Sequence, residues 1–179
     1  YPYKGDMRLT INSIEGDAKG KLIKVRIPGW AVNKPVESDL YSYTNPTTTP
    51  VSIKLNGEEV TYTVQDGYAS LKSEWKEGDY VDVTLPMDVH QVVSNEKLKS
   101  NKGLCSYEYG PLVYCAEGVE NNNKLDNLFI PTGATATTAS AASTLTNLFR
   151  GGILQLRVNG KAYTQKGNDI TLSDKVIKD

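Results

Sequence analysis

Apolar and polar residues alternate one by one along most of the first ninety positions, and glycine, proline or an Asn-Gly pair cuts each run short. Met7, Leu9 and Ile11 alternate with Arg8, Thr10 and Asn12. Ile23, Val25 and Ile27 alternate with Lys24 and Arg26 up to Pro28-Gly29, and Val51, Ile53 and Leu55 with Ser52 and Lys54. A period of two belongs to a strand with one buried face; a helix would repeat its apolar stripe every 3.6 residues. Asn56-Gly57 ends the third run and predicts a hairpin, because a type I′ turn needs positive φ at both central residues. Val60, Tyr62 and Val64 continue beyond it. Ala69, Leu71 and Trp75 share one face, and Glu77-Gly78-Asp79 turns the chain. Val81, Val83, Leu85, Met87 and Val89 form a long run in which Pro86 demands an edge or a bulge. Residues 103–109 and 111–117 read as another pair about Gly110-Pro111. The pattern predicts an all-β fold, an antiparallel sandwich.

Residue usage agrees and narrows the chemistry. Eleven Tyr, fifteen Gly and eight Pro stand against two Phe and two Met in 179 residues. Twenty basic and twenty-one acidic residues leave a net charge of -1, which argues against nucleic acid or an anionic membrane as a partner. No apolar run reaches the roughly 18 residues of a membrane helix. Position 1 is Tyr with no basic-then-apolar leader after it, which reads as a processed chain or a piece of a longer one, its localisation unknown from these residues. One histidine, His90, and two cysteines, Cys105 and Cys115, leave no spacing for a zinc site, so no metal and no cofactor is expected. His90, in Met87-Asp88-Val89-His90-Gln91-Val92-Val93, reads as an ordinary surface or edge residue.

Other segments are less regular. Residues 94–99 read as a short helix or turn. Residues 35–50, polar and Thr-rich, read as a long loop carrying Tyr41 and Tyr43. Composition shifts at Glu120-Asn121-Asn122-Asn123. The Thr/Ala/Ser tract at 132–144 reads as an exposed, poorly ordered strand or linker, and order is expected to return at Gly151-Gly152-Ile153. Leu154, Leu156 and Val158 alternate, and Asn159-Gly160 predicts a second hairpin. Residues 53–63 (IKLNGEEVTYT) and 155–165 (QLRVNGKAYTQ) look alike, a weak hint of two related sandwiches. The expected division is a sandwich over 1–120 and a partial second sandwich, or added strands, over 121–179. The second piece is too short to be self-sufficient, since a chain of about 60 residues buries only about 60% of its unfolded surface.

Few residues stand out as candidates for function. Trp30 could stack on a sugar ring or plug one end of the sandwich; Trp75, by parity, belongs to the core. Tyr41 and Tyr43, two apart, could form a small stacking platform or pack on a neighbouring domain. A two-residue loop at 110–111 pairs 105 with 116 and turns Cys115 away from Cys105, so two free thiols fit better than a disulfide. Glu58-Glu59, Glu74 and Glu77 lie near turns, where carboxylates are usually solvated; a glycosidase needs two of them about 5–10 Å apart across a cleft.

Several phrases occur in series: RIPGWA (26–31), SDLY (38–41), IKLNG (53–57), DGYASLKSEWKEGDYVDVTLPM (66–87), SNEKLKSNKG (94–103) and YGPLVYCAEG (109–118). In this order they resemble the C-terminal β-sandwich region of glycoside hydrolase family 127, the β-L-arabinofuranosidase-like proteins. Residues 7–120 resemble its middle sandwich and 124–158 the start of its final one. Tyr109 stands where the family's phrase carries Arg. The resemblance implies a jelly-roll-like sandwich, and the SDLY segment resembles the version found in gut Bacteroidetes polysaccharide degraders. It further implies that catalysis resides upstream, in an (α/α)6 barrel with adjacent cysteines and a zinc ion. No adjacent Cys-Cys pair occurs here, so no catalytic residue carries over. The function implied is a non-catalytic accessory region that supports the barrel or mediates subunit contacts. The alternative is an independent carbohydrate-binding module. The implied partners are the barrel of the parent chain, plant polysaccharide or oligosaccharide, and a second copy in a homodimer. The implied location is periplasmic or extracellular. Trp30, Tyr41 and Tyr43 would contact sugar or the neighbouring domain.

Overall fold

A computed structural model describes residues 2–140 and 154–178. The chain forms two compact units. The first comprises Tyr1–Glu37 and Thr47–Asp88, the second Ser38–Pro46 and Val89–Asp179. The chain therefore leaves the first unit for nine residues and returns to it before departing for good. This differs from the division expected at residue 120. Pro86 lies just past the strand that ends at Thr84, and the alternating run that suggested continuity is split there between the two units.

The first unit is a two-sheet sandwich. One sheet holds β1 (Asp6–Thr10), β8 (Tyr80–Thr84), β4 (Ser52–Leu55) and β5 (Glu58–Glu59) in that order. The other holds β2 (Leu22–Arg26), β7 (Tyr68–Lys72) and β6 (Thr63–Gln65). All pairings are antiparallel. The alternating residues Val25, Ile53, Ala69, Leu71, Val81 and Val83 meet between the sheets, with Ile27, Leu85 and Trp75 at the ends. Trp75 donates its indole N–H to the carbonyl of Lys21 (2.9 Å), so its one polar atom is satisfied inside the core.

The Asn56-Gly57 hairpin forms as expected, with φ of 52° and 89° and Leu55 opposite Glu58. Beyond it the chain pairs for only two residues. The run Val60, Tyr62, Val64 then crosses to the other sheet, with Val60 and Tyr62 packed against the core. Asp66-Gly67 makes a second tight hairpin, again with both φ positive and Gln65 opposite Tyr68. The Asp66-Gly67 pair lies between the run 60–64 and the run from Ala69 and carries the same turn chemistry as Asn56-Gly57.

The second unit is also a two-sheet sandwich. Its first sheet is β11 (Leu112–Tyr114), β10 (Cys105–Tyr109), β9 (Val89–Ser94) and β3 (Tyr41–Tyr43). The second is built on the long β14 (Leu154–Lys166), flanked by β12 (Leu128–Phe129) and β13 (Ala136–Ser140) on one edge and by β15 (Asp169–Lys178) on the other. Tyr107, Tyr114, Leu156, Val158 and Ile177 form the shared core. Residues beyond 121 thus complete a sandwich whose other sheet comes from β3 and β9–β11, rather than forming a separate unit.

Two local expectations change, at 41–43 and at Asn159-Gly160. Residues 41–43 are a strand at the edge of β9 and not loop, because β9 offers them a ladder that no local pattern reveals. The tract at 132–144 contains a regular strand over 136–140; its last four residues, with Gly151-Gly152-Ile153, lie outside the described residues. Asn159-Gly160 is not a turn. β14 runs straight through it, and the hairpin falls at Gly167-Asn168, with Lys166 opposite Asp169. Gly160 is small for a packing reason: a Cβ there would lie 2.6 Å from Ile177 Cδ1 and 2.7 Å from the carbonyl oxygen of Phe129. The likeness between 53–63 and 155–165 therefore joins a turn glycine to a packing glycine. Residues 95–98 are a turn after the end of β9 at Ser94, followed by one 3₁₀ turn at Lys99–Asn101.

Gly160→Ala is expected to destabilise the protein by about 1–3 kcal/mol, the usual cost of overpacking a tight contact. Urea unfolding of the variant checks this; an unchanged midpoint would refute the packing role.

Candidate functional site

The segment after β2 is a single 3₁₀ turn at Gly29–Val32. The carbonyl of Lys34 would lie 2.5 Å from any Cβ at position 29, so only glycine fits. Asn33 closes the turn in the left-handed region, at φ 62°. Its amide donates to the carbonyl of Thr47 (3.0 Å), and its oxygen accepts from the N–H of Thr47 (2.8 Å). This two-bond clamp joins the ends of the excursion at its base. The turn carries Trp30, half-buried against the first core.

The other two aromatic candidates sit on β3. The hydroxyl of Tyr41 accepts from the Asn101 amide (2.9 Å). Tyr43 is buried and stacks on His90, with ring centroids 4.2 Å apart and planes 14° from parallel. Its hydroxyl donates to Glu108 Oε2 (2.5 Å). Burial, then the hydrogen bond to Glu108 and that carboxylate's charge, hold the Tyr43 phenol far above its ordinary pKa. Trp30 belongs to the first unit, and Tyr41 and Tyr43 to the second.

His90 is only 3% exposed and is not the surface or edge residue expected. β9 lies inside its sheet, and His90, Gln91 and Val92 are buried in succession, so both faces are covered and parity cannot sort them. Its Nδ1 lies 2.8 Å from the carbonyl oxygen of Asn45; a carbonyl only accepts, so Nδ1 carries the proton.

Gln91, 1% exposed, is the polar centre of the second unit. Its oxygen accepts from the Gly133 N–H (2.6 Å) and the Thr44 hydroxyl (3.1 Å). Its nitrogen donates to the Pro131 carbonyl (3.0 Å) and the Tyr107 hydroxyl (3.2 Å). Tyr107 in turn donates to the carbonyl of Ala134 (2.9 Å). Burial pushes the Tyr107 phenol up to about 12. Burial also raises the Cys105 thiol, and both cysteines are free, as the hairpin register predicts. This constellation is fully satisfied and structural. A polar residue inside an apolar run was its signal in the sequence.

Two open surfaces stand out among the described residues. The first is the outer face of the β12–β14–β15 sheet. Register places Phe129 beside Lys161 and Asp174, and Tyr163 beside Leu172. Ile170 and Val176 share that side of β15. Ile170 is 65% exposed and Leu172 58%, and Phe129, Tyr163 and Val176 are exposed as well. The Lys161–Asp174 ion pair crosses this face, and the register sets Gln165 beside Ile170 and Asn159 beside Val176. The period-two run Ile170, Leu172, Asp174, Val176 marked it in the sequence. The second surface is a cleft of about 810 Å³ in the first unit, bounded by the Gly29–Val32 turn, residues 47–51 and the β6–β7 hairpin. Among the described residues no three His, Cys, Asp or Glu side chains gather as metal ligands. Glu59 and Glu77 are exposed and hold local contacts, accepting from the Ser52 hydroxyl (3.2 Å) and the Ile14 N–H (3.1 Å) respectively.

Two family descriptions match the chain: "Beta-L-arabinofuranosidase, GH127 middle domain" over residues 1–87 and "Glycoside hydrolase family 127 C-terminal domain" over 89–169. The junction between them falls where the two units part. The non-reducing end beta-L-arabinofuranosidase of Bifidobacterium longum subsp. longum is 30% identical over 146 residues, which are 79% of this chain and 19% of that protein. The solved structure of a GH127 beta-arabinofuranosidase superposes with a TM-score of 0.86 at 30% identity, over 99% of this chain and 27% of its own. A GH127 beta-L-arabinofuranosidase from Geobacillus stearothermophilus T6 shares the fold, with a TM-score of 0.74 at 23% identity over 99% of this chain and 26% of its own. The chain thus spans about a fifth of the curated relative and about a quarter of the solved ones.

Two measurements test the Gln91 centre. Gln91→Leu keeps the volume but strands several buried groups, and each buried orphan costs about 1–3 kcal/mol; the melting temperature should fall clearly. Tyr107 offers a pH test. Its folded-state pKa of about 12 exceeds the ordinary 10.0, so the folded protein holds this proton more tightly. Stability from it is complete below pH 10 and is lost as pH rises toward 12. Urea unfolding across that window should show a shallower decline in Tyr107→Phe than in the parent. The decline should not vanish, because Tyr43 shifts in the same direction.

Proposed function

Because the chain belongs to glycoside hydrolase family 127, whose middle and C-terminal domains it comprises, we propose that it is the non-catalytic β-sandwich region of a carbohydrate-degrading enzyme and docks on that enzyme's catalytic barrel. The supporting observation is the outer face of the β12–β14–β15 sheet. A sheet face exposing Phe129, Tyr163, Ile170, Leu172 and Val176 is costly to leave in water, and contiguous apolar patches of this kind mark protein contacts. A dedicated sugar-binding module would instead present coplanar aromatics. This face mixes two aromatic rings with three aliphatic side chains. The relatives' names supply the enzyme class, a β-L-arabinofuranosidase acting at non-reducing ends. On the same reading the parent protein works on plant polysaccharide outside the cytoplasm.

Under this reading the isolated chain should not hydrolyse an aryl β-L-arabinofuranoside, with or without zinc and reductant. It should bind a separately produced family 127 catalytic barrel in isothermal titration calorimetry. The double variant Ile170→Asp, Leu172→Asp should lose that binding at an unchanged melting temperature, since both side chains are exposed. Turnover by the chain alone, or undiminished binding by the double variant, would overturn the reading.

A further inference from the structure

The cleft in the first unit has a composition of its own. Arg26, Lys34, Glu37 and Asp66 line it together with Val32 and Val64. Two cationic and two anionic groups cancel. Arg26 is already engaged: its Nη1 donates to the Asp66 carbonyl (3.1 Å), and its guanidinium lies 5.3 Å from the centre of the Tyr68 ring. A side chain at position 67 would collide with it, a Cβ lying 1.8 Å from Nη1, so glycine leaves Arg26 its place on the cleft wall. Among the described residues the side chains of Lys34, Glu37, Thr48 and Asp66 make no hydrogen bond or ion pair within the protein. The walls are nonetheless fixed. The Asn33–Thr47 clamp holds one side, and the Tyr62 hydroxyl donates to the Val51 carbonyl (3.3 Å) on another.

The chemistry excludes several ligand classes. An anion would meet Lys34 but also Glu37 and Asp66. A cation would find two carboxylates accompanied by a lysine and an arginine. An apolar ligand would desolvate four charged groups and repay none of them. What remains is a neutral ligand rich in hydroxyls, which donate to carboxylates and accept from ammonium and guanidinium groups at once. Its C–H surfaces would meet Val32 and Val64, which are 46% and 55% exposed. The volume lies within the roughly 300–1,000 Å³ of small-molecule sites. We propose that this cleft is a binding site for an uncharged saccharide of about one to two rings, separate from the apolar docking face. The proposal rests on the cleft alone and stands whether or not that face docks on a catalytic barrel.

The test is a ¹⁵N–¹H NMR titration of the full chain with cellobiose and, separately, an arabinose disaccharide, with inorganic phosphate and calcium as controls. At least one of the two sugars should shift amides of residues 26–34, 47–51 and 62–67 in a saturable way. Affinity should be weak, in the millimolar range typical of about 4 kcal/mol of binding. Lys34→Ala and Glu37→Ala should each weaken it about tenfold. Both side chains are exposed and unbonded, so folding is not at issue. No saturable shift with either sugar, shifts insensitive to both variants, or a stronger response to phosphate or calcium would overturn the proposal.

Discussion

A single buried amide holds together the three chain segments from which the second unit is assembled. Gln91 lies in the middle of β9, and its side chain binds Thr44 from the excursion and Pro131 and Gly133 from the approach to β13, while Tyr107 on β10 shares the network. The backbone of β9 adds to this. The N–H of Gln91 donates to Asn45 Oδ1 (2.9 Å), and the Asn45 amide donates to the carbonyl of Val89 (2.7 Å). A buried amide with every hydrogen bond made is neutral or favourable, and one left unmade is costly. The network thus admits one arrangement of these segments.

The excursion at 38–46 is the topological counterpart of that network. Nine residues leave the first unit, supply a strand to the second and return. Asn33 and Thr47 bond to each other in the first unit, while Thr44 and Asn45, near the C-terminal end of the excursion, bond to β9 in the second. In both places an asparagine side chain replaces backbone pairing, offering a donor and an acceptor together. The Asn33–Thr47 clamp lies in the lining of the cleft.

The two open surfaces differ in what they can hold. The face of β12, β14 and β15 carries five exposed apolar side chains around the Lys161–Asp174 ion pair, with Asn159 and Gln165 at its polar margins, and suits a broad protein surface. The cleft is small, charge-balanced and rimmed by hydroxyls and suits a small polar ligand.

The period-two runs determined the all-β class, the core of the first sandwich and the Asn56-Gly57 and Gly110-Pro111 hairpins, because these features depend on neighbouring residues and on φ preferences that each residue carries with it. Free cysteines followed from the hairpin register in the same way. The motifs in series established the family. Tertiary structure alone decided the rest. Asn159-Gly160 has the residues of a turn but lies in mid-strand, because Phe129 and Ile177 press against position 160 from elsewhere. Residues 41–43 carry no strong strand pattern and become a strand because β9 has an open edge. His90 reads as exposed and is buried, because β9 is covered on both faces. The division at 88 and not at 120 belongs to the same class, since it depends on which distant strands share a core. A local pattern records what a residue prefers, but pairing partners and covered faces are set by chain segments tens of residues away.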